Sequence, residues 1–166
     1  MAFYTKDVPI MECYPARFGK MVDNMVVVDF SFSFTWGTYG ISSYDSKTGR
    51  LIKTSDVVNK EDYETTHFLT AQEKVRIFAI IEHLNPYIYP DEYNPNEDIA
   101  TVPYQNLILS VDMYGGTKTI TAKQVAFDEP TNPKGKIFMD ACKKIAHILE
   151  NTNEWKALPD FPYLYD

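Results

Sequence analysis

Between Val26 and Trp36 the chain alternates with a period of two, and that pattern limits its fold more than any other feature. Val26, Val28, Phe30, Phe32, Phe34 and Trp36 are apolar, while Asp29, Ser31, Ser33 and Thr35 between them are polar. Alternation of this kind marks a strand with one buried face. Four consecutive aromatics on that face need a hydrophobic cover, and the rest of the sequence can be read as that cover.

Gly37 and Gly40 bracket Thr38-Tyr39, a spacing that predicts a bulge or sharp bend. The chain resumes at Ile41–Asp45, turns through Asp45-Ser46-Lys47-Thr48-Gly49 and returns as Arg50–Thr54. Ser55–Thr66 is polar and acidic and reads as a connector. Thr70 and Glu73 form a capping-box pattern. Ile77, Phe78, Ile80, Ile81 and Leu84 behind it make a helical apolar stripe that ends before Pro86. Leu107, Leu109, Val111 and Met113 alternate as a strand. Gly115-Gly116 then predicts a primed turn that sets Val111 opposite Ile120 and Leu109 opposite Ala122. Asn132-Pro133 opens a second helix, with Ile137, Phe138, Ala141, Ile145, Ile148 and Leu149 on its buried side.

This order predicts an α+β two-layer fold. One antiparallel sheet of about four to five strands carries two helices on one face, in the order ββα-ββα. At 166 residues the chain is one domain. Residues 1–24 read as an irregular arm with a short strand near Ile10–Tyr14, and residues 85–104 as a long proline-rich loop. Residues 151–166 read as a docked tail, because Trp155, Phe161, Tyr163 and Tyr165 are too aromatic for a floating end.

The formal net charge of −7 argues against a general nucleic-acid binder and fits a basic partner. No run of 18 apolar residues predicts a membrane span, and the first residues lack the pattern of a secretory signal. Cys13 and Cys142 fit no metal or redox spacing and read as reduced thiols, with a single disulfide as the alternative. A cytoplasmic location is expected, or a secreted or lipoprotein origin if a leader has been removed.

The stretch WGTYGISSYDSKTG, Trp36–Gly49, resembles a signature of small bacterial domains that are sometimes carried on lipoproteins. The resemblance implies no activity and no site residues. The chain departs from the lipoprotein form in lacking a signal and a lipobox cysteine.

No phosphate loop or nucleophile elbow is present, and no catalytic residue, cofactor or metal is expected. His67, His83 and His147 lack ligand spacing and read as structural. Asp91, Glu92, Asn94, Asn96, Glu97 and Asp98 offer oxygen ligands, but not at the spacing of a calcium loop. Tyr39, Ser42 and Tyr44, near the bend, could line a groove. The stronger feature is a charge asymmetry. Ile77–Thr117 contains no Lys or Arg and holds Glu82, Asp91, Glu92, Glu97, Asp98 and Asp112. Tyr87, Tyr89, Asp91, Glu92, Tyr93, Glu97 and Asp98 are therefore the candidate partner-binding residues. The sequence reads as a non-enzymatic protein-binding module, in its specific form an immunity or inhibitor protein for a basic partner. The alternatives are a ligand-binding or cell-envelope accessory domain using the bend, and an enzyme whose site assembles only in three dimensions.

Overall fold

A computed structural model describes residues 21–22, 25–26, 29–38, 42–54, 62–96 and 102–160. A short antiparallel ladder pairs β1 (Met21–Val22) with β2 (Met25–Val26). The main sheet comprises β3 (Phe30–Trp36), β4 (Ser42–Asp45), β5 (Arg50–Thr54), β6 (Asp62–Thr66), β7 (Gln105–Met113) and β8 (Gly116–Val125). Its strand order is β6-β5-β4-β3-β7-β8, and every neighbouring pair is antiparallel. The helices are α1 (Ala71–Leu84), α2 (Pro133–Glu150) and α3 (Asn153–Ala157).

The fold is α+β, as the patterning predicts. The aromatic strand β3 lies inside the sheet, with β4 on one side and β7 on the other. Phe30, Phe32, Phe34 and Trp36 are 7%, 3%, 1% and 5% exposed. They share one core with Val75, Ile77, Phe78, Ile81 and Leu84 of α1 and Phe138, Met139, Ile145 and Leu149 of α2. Burying each aromatic contributes on the order of 1.5–3 kcal/mol. The opposite face carries Ser31, Ser33 and Thr35, which register with Asp112, Ser110 and Ile108 of β7.

Helix α1 starts where the sequence places it. The Thr70 hydroxyl accepts from the Glu73 amide at 3.2 Å, and the Glu73 carboxylate accepts from the Thr70 amide at 2.9 Å. It ends on Asn85, whose φ of 52° closes the last turn in the left-handed region. Helix α2 is capped by Asn132, whose side-chain oxygen accepts from the Gly135 amide at 2.6 Å.

Five expectations need correction. Residues 21–22, read as part of the irregular arm, pair with Met25–Val26, so the aromatic strand begins at Phe30 and not at Val26. Residues 62–66, read as connector, form the edge strand β6 paired with β5. Its Asp-Tyr-Glu-Thr-Thr sequence looks polar because Glu64 and Thr66 are exposed and Tyr63 and Thr65 only half-buried. The β7–β8 turn is Tyr114-Gly115, not Gly115-Gly116. Met113 pairs with Gly116, so Val111 faces Lys118 and Leu109 faces Ile120. The φ values of 55° at Tyr114 and 75° at Gly115 give the turn its primed form. The shift of two residues keeps each strand's apolar face intact. The tail contains a third helix, α3, capped by Thr152. Ile137, expected in the core, is exposed on α2. Leaving aside the β1–β2 ladder, the order is thus four strands and a helix, then two strands and two helices.

Trp155 of α3 is buried and stacks on Trp36 at 5.5 Å, so the tail docks as far as that residue. Phe161, Tyr163, Tyr165, the arm at residues 1–20 and the expected strand at Ile10–Tyr14 lie outside the described residues.

Phe32 touches the Phe30 and Tyr44 rings at 5.9 and 5.6 Å. Phe32→Ala should lower stability in urea denaturation by roughly 3–5 kcal/mol, transfer plus cavity. A midpoint equal to wild type would contradict the β3 register. Gly115→Val should be destabilising by roughly 1–3 kcal/mol, because valine resists positive φ. Gly116→Val should cost less, since its added Cβ meets the Tyr87 side chain at ordinary contact distance, its hydroxyl nearest at 3.4 Å. Equal losses in the two variants' melts would sink the Tyr114-Gly115 assignment.

Candidate functional site

Pro86–Ile88 follows α1 as a short 3-10 turn, its ring-locked first residue buried. This turn sets Tyr87 and Ile88 beside the β7–β8 tip. The Tyr87 hydroxyl donates to the Met113 carbonyl at 2.8 Å and lies 3.1 Å from the Gly116 carbonyl. Tyr114, in the tip itself, donates to Glu82 of α1 at 2.5 Å and meets the Phe78 ring edge-on. Tyr87, Ile88 and Tyr114 are all exposed, Ile88 at 57%.

The chain then runs along the free edge of β8. The Thr121 amide donates to the Asp91 carbonyl at 2.7 Å, and the Tyr93 amide donates to the Thr121 carbonyl at 3.0 Å. Glu92 thereby forms a parallel bridge to Thr121. Asp91 and Glu92 are exposed on this pinned segment, Asp91 with 85% of its side chain accessible.

The expected partner-binding residues separate into four groups. Tyr87, Asp91 and Glu92 are exposed together. Tyr89 is only 2% exposed and belongs to the core, so it presents nothing to a partner. Its hydroxyl donates to the Lys134 carbonyl at 3.0 Å. Tyr93 is half-buried, edge-on to Tyr89 at 5.0 Å and to Phe138 at 5.4 Å. Glu97 and Asp98 lie outside the described residues. Sequence reasoning missed Ile88 and Tyr114, and counted Glu82 in the acidic stretch without placing it at this surface, which they reach through the hairpin and the helix end.

The local field is weaker than the sequence segment implies. Lys118 of β8 pairs with Asp91. Lys134 of α2 donates to the Ile88 carbonyl at 3.0 Å and lies over the Tyr89 ring at 4.8 Å. Asn94 and Asn96 serve the backbone. The Asn94 side chain accepts from the Asn96 amide at 2.9 Å, and the buried Asn96 side chain donates to the Asp128 carbonyl at 2.8 Å.

The proposed groove near the bend is corrected by register. Tyr44 pairs with Phe34 and Ser42 with Trp36, which puts both side chains on the core face. They are 1% and 4% exposed, and Tyr44 donates to the His67 carbonyl at 2.9 Å. Tyr39 lies outside the described residues. A different depression, of about 160 Å³, opens on the outer sheet face between Ser31, Ser33, Asp45, Lys47, Ser110 and Asp112. Lys47 bonds Asp112 there, and Thr117 and Ser31 donate to the same carboxylate. The hydrogen bond from Lys47 holds the Asp112 carboxyl below its usual range, and Asp112 in turn holds the Lys47 ammonium above its own. Each partner thus favours the charged form of the other, a carboxylate beside an ammonium.

The other reactive side chains are also engaged or inert. Cys142 is buried, and burial pushes its thiol well above the ordinary range, so it stays protonated. Cys13 is outside the described residues. His67 is tied to two carboxylates, and His83 and His147 are exposed near helix ends. Among the described residues no three His, Cys, Asp or Glu side chains converge on a metal position. No helix among them is long and apolar enough to cross a membrane.

The core phenols give a measurable signature. Burial first, then Tyr93, pushes the Tyr89 phenol up to about 12. Burial first, then Glu73, pushes Tyr44 higher still. The neutral phenols are favoured in the fold. Their contribution is complete below about pH 10, the ordinary tyrosine value, and is lost as pH rises through the folded values. An alkaline absorbance titration should show exposed tyrosines ionising first and these two only later, together with unfolding. Ionisation of every tyrosine in one step at about pH 10 would contradict the burial.

No family model matches the chain and no curated protein matches it, so its functional reading rests on the geometry of these surfaces.

Proposed function

We propose that the protein is a non-enzymatic protein-binding module whose partner is basic, an immunity or inhibitor protein being the specific form. The observation that supports this is a surface with exposed Tyr87, Ile88 and Tyr114 and Glu82 at the hairpin tip, and exposed Asp91 and Glu92 farther along β8, beside Lys118 and Thr121. Large aromatics inside a polar rim are the composition of interface hot spots. The net charge of −7 favours encounter with a cation-rich surface. The backbone beneath the patch is pinned by the Asp91 and Tyr93 bonds to Thr121, so little ordering cost attends binding.

A second reading is a ligand-binding or cell-envelope accessory domain. It is favoured by the depression between Lys47 and Asp112, whose hydroxyls and charges suit a small polar ligand.

Binding kinetics at two ionic strengths, with the partner captured from the native host, separate the two. Asp91→Asn with Glu92→Gln should change stability by no more than about 0.5 kcal/mol per site, as exposed substitutions do. Association should slow and lose salt dependence, because rim charges act on the on-rate. Tyr87→Ala should raise the off-rate, as removal of an anchor does. Unchanged rates at low salt in the first variant, with loss of binding on Asp112→Asn, would move the site to the outer sheet face.

A further inference from the structure

Strand β6 bounds the main sheet on one side. Its pairing with β5 fixes which main-chain groups point outward. The His67 amide donates to the Gly49 carbonyl at 2.7 Å, so residues 67, 65 and 63 turn their amides and carbonyls toward β5. An antiparallel ladder alternates, so Glu64 and Thr66 turn theirs away from the sheet. Among the described residues no hydrogen bond reaches those outward groups.

Edges of this kind are ordinarily blunted by proline, lysine, a bulge or a covering segment. Asp-Tyr-Glu-Thr-Thr contains neither proline nor lysine, and its register with β5 runs unbroken over all five residues. The Glu64 carboxylate is matched on the outer face by Arg50, at 2.8 Å. On the helix face Leu51 and Lys53 of β5 are 0% and 3% exposed, whereas their neighbours Thr65 and Tyr63 are only half-buried. Phe68, just past the strand, is 65% exposed. The cover stops at β5, and one more strand would continue it.

We propose that a second copy of the chain provides that strand, the two β6 edges pairing antiparallel about a twofold axis. Register selects the match. An axis at Glu64 sets like charges directly opposite each other, which is destabilising. An axis at Thr66 carries Glu64 past the end of the strand, against Phe68. An axis at Thr65 sets Glu64 opposite Thr66 of the second copy, and every outward amide and carbonyl of these two residues finds a partner. Thr65 then meets Thr65 of the second copy, a favourable cross-strand pair. Each Glu64 keeps its own Arg50. The strand is its own complement in this register, which favours a second copy over a foreign strand. Strands β6 and β8 lie on opposite sides of the sheet, so the dimer leaves the hairpin tips free and does not depend on their role.

The net charge of −7 on each copy opposes the encounter, and salt screens that repulsion. Sedimentation over a wide range of protein concentration should show the mass doubling, with the dimer favoured by added salt. Binding at the acidic hairpin tip has the opposite salt dependence, so the two contacts fail separately. Thr66→Pro removes an amide that β5 does not use, and should leave a monomer with a melt close to wild type. Thr65→Pro removes one that β5 does use, and should lower the melt. Cysteine variants test the register without touching a main-chain bond. In a Cys13→Ser background, Thr65→Cys sets two thiols across the axis with Cα atoms about 4.5 Å apart, within disulfide reach. Oxidation should link most of that variant into dimers and little of Glu64→Cys. A wild-type chain that stays monomeric at every concentration and salt overturns the proposal. So does a folded Thr66→Pro chain that dimerises as wild type does, or equal cross-linking in the two cysteine variants.

Discussion

The inner face of β3 carries the structure. Rings run outward from it in two directions, Phe34 to Trp36 to Trp155 at one end and Phe30 to Phe78 at the other, with Phe32 meeting Tyr44 between them. Three of these contacts each join a different element to the same strand: α3, α1 and β4. An aromatic pair adds about 0.5–1.5 kcal/mol beyond the burial of its area. The exposed ion pairs Arg50–Glu64 and Lys144–Asp140 are screened by solvent and add little. Ring packing therefore decides where the helices sit, and surface charge tunes what they present.

Much of this was legible in the sequence because the signals were local and redundant. Alternation gave β3 and β7, and the Thr70–Glu73 box gave the start of α1. Gly49, with φ of 72°, closes the turn that Asp45 opens. What escaped depended on tertiary context. Strand β6 has no apolar face of its own strong enough to show. Tyr-Gly and Gly-Gly both satisfy a primed turn, and only pairing across the hairpin chooses between them. Ile137 fits a helical stripe by number, yet α2 turns it outward.

The candidate surfaces show the same limit. Ser42 and Tyr44 read as surface residues because a hydroxyl and a phenol are polar, but parity with Phe34 and Trp36 sends them inward. The acidic run after α1 read as an uncompensated field because its cations, Lys118 and Lys134, arrive from β8 and α2. Tyr89 was grouped with Tyr87 by proximity in the chain, while the turn after Pro86 sends one into the core and leaves the other outside. Charge and exposure belong to the assembled surface, and a sequence window reports only part of either.

The segment at residues 91–93 has a consequence for how this molecule can meet another. An open sheet edge invites a foreign strand, through the main-chain groups it leaves unpaired. At Thr121 both of those groups are already taken, the amide by Asp91 and the carbonyl by Tyr93. At that position β8 offers no template for strand addition, whether from a partner or from a second copy of the chain. What meets this side of the sheet at Thr121 must recognise side chains, so its selectivity is open to change one residue at a time.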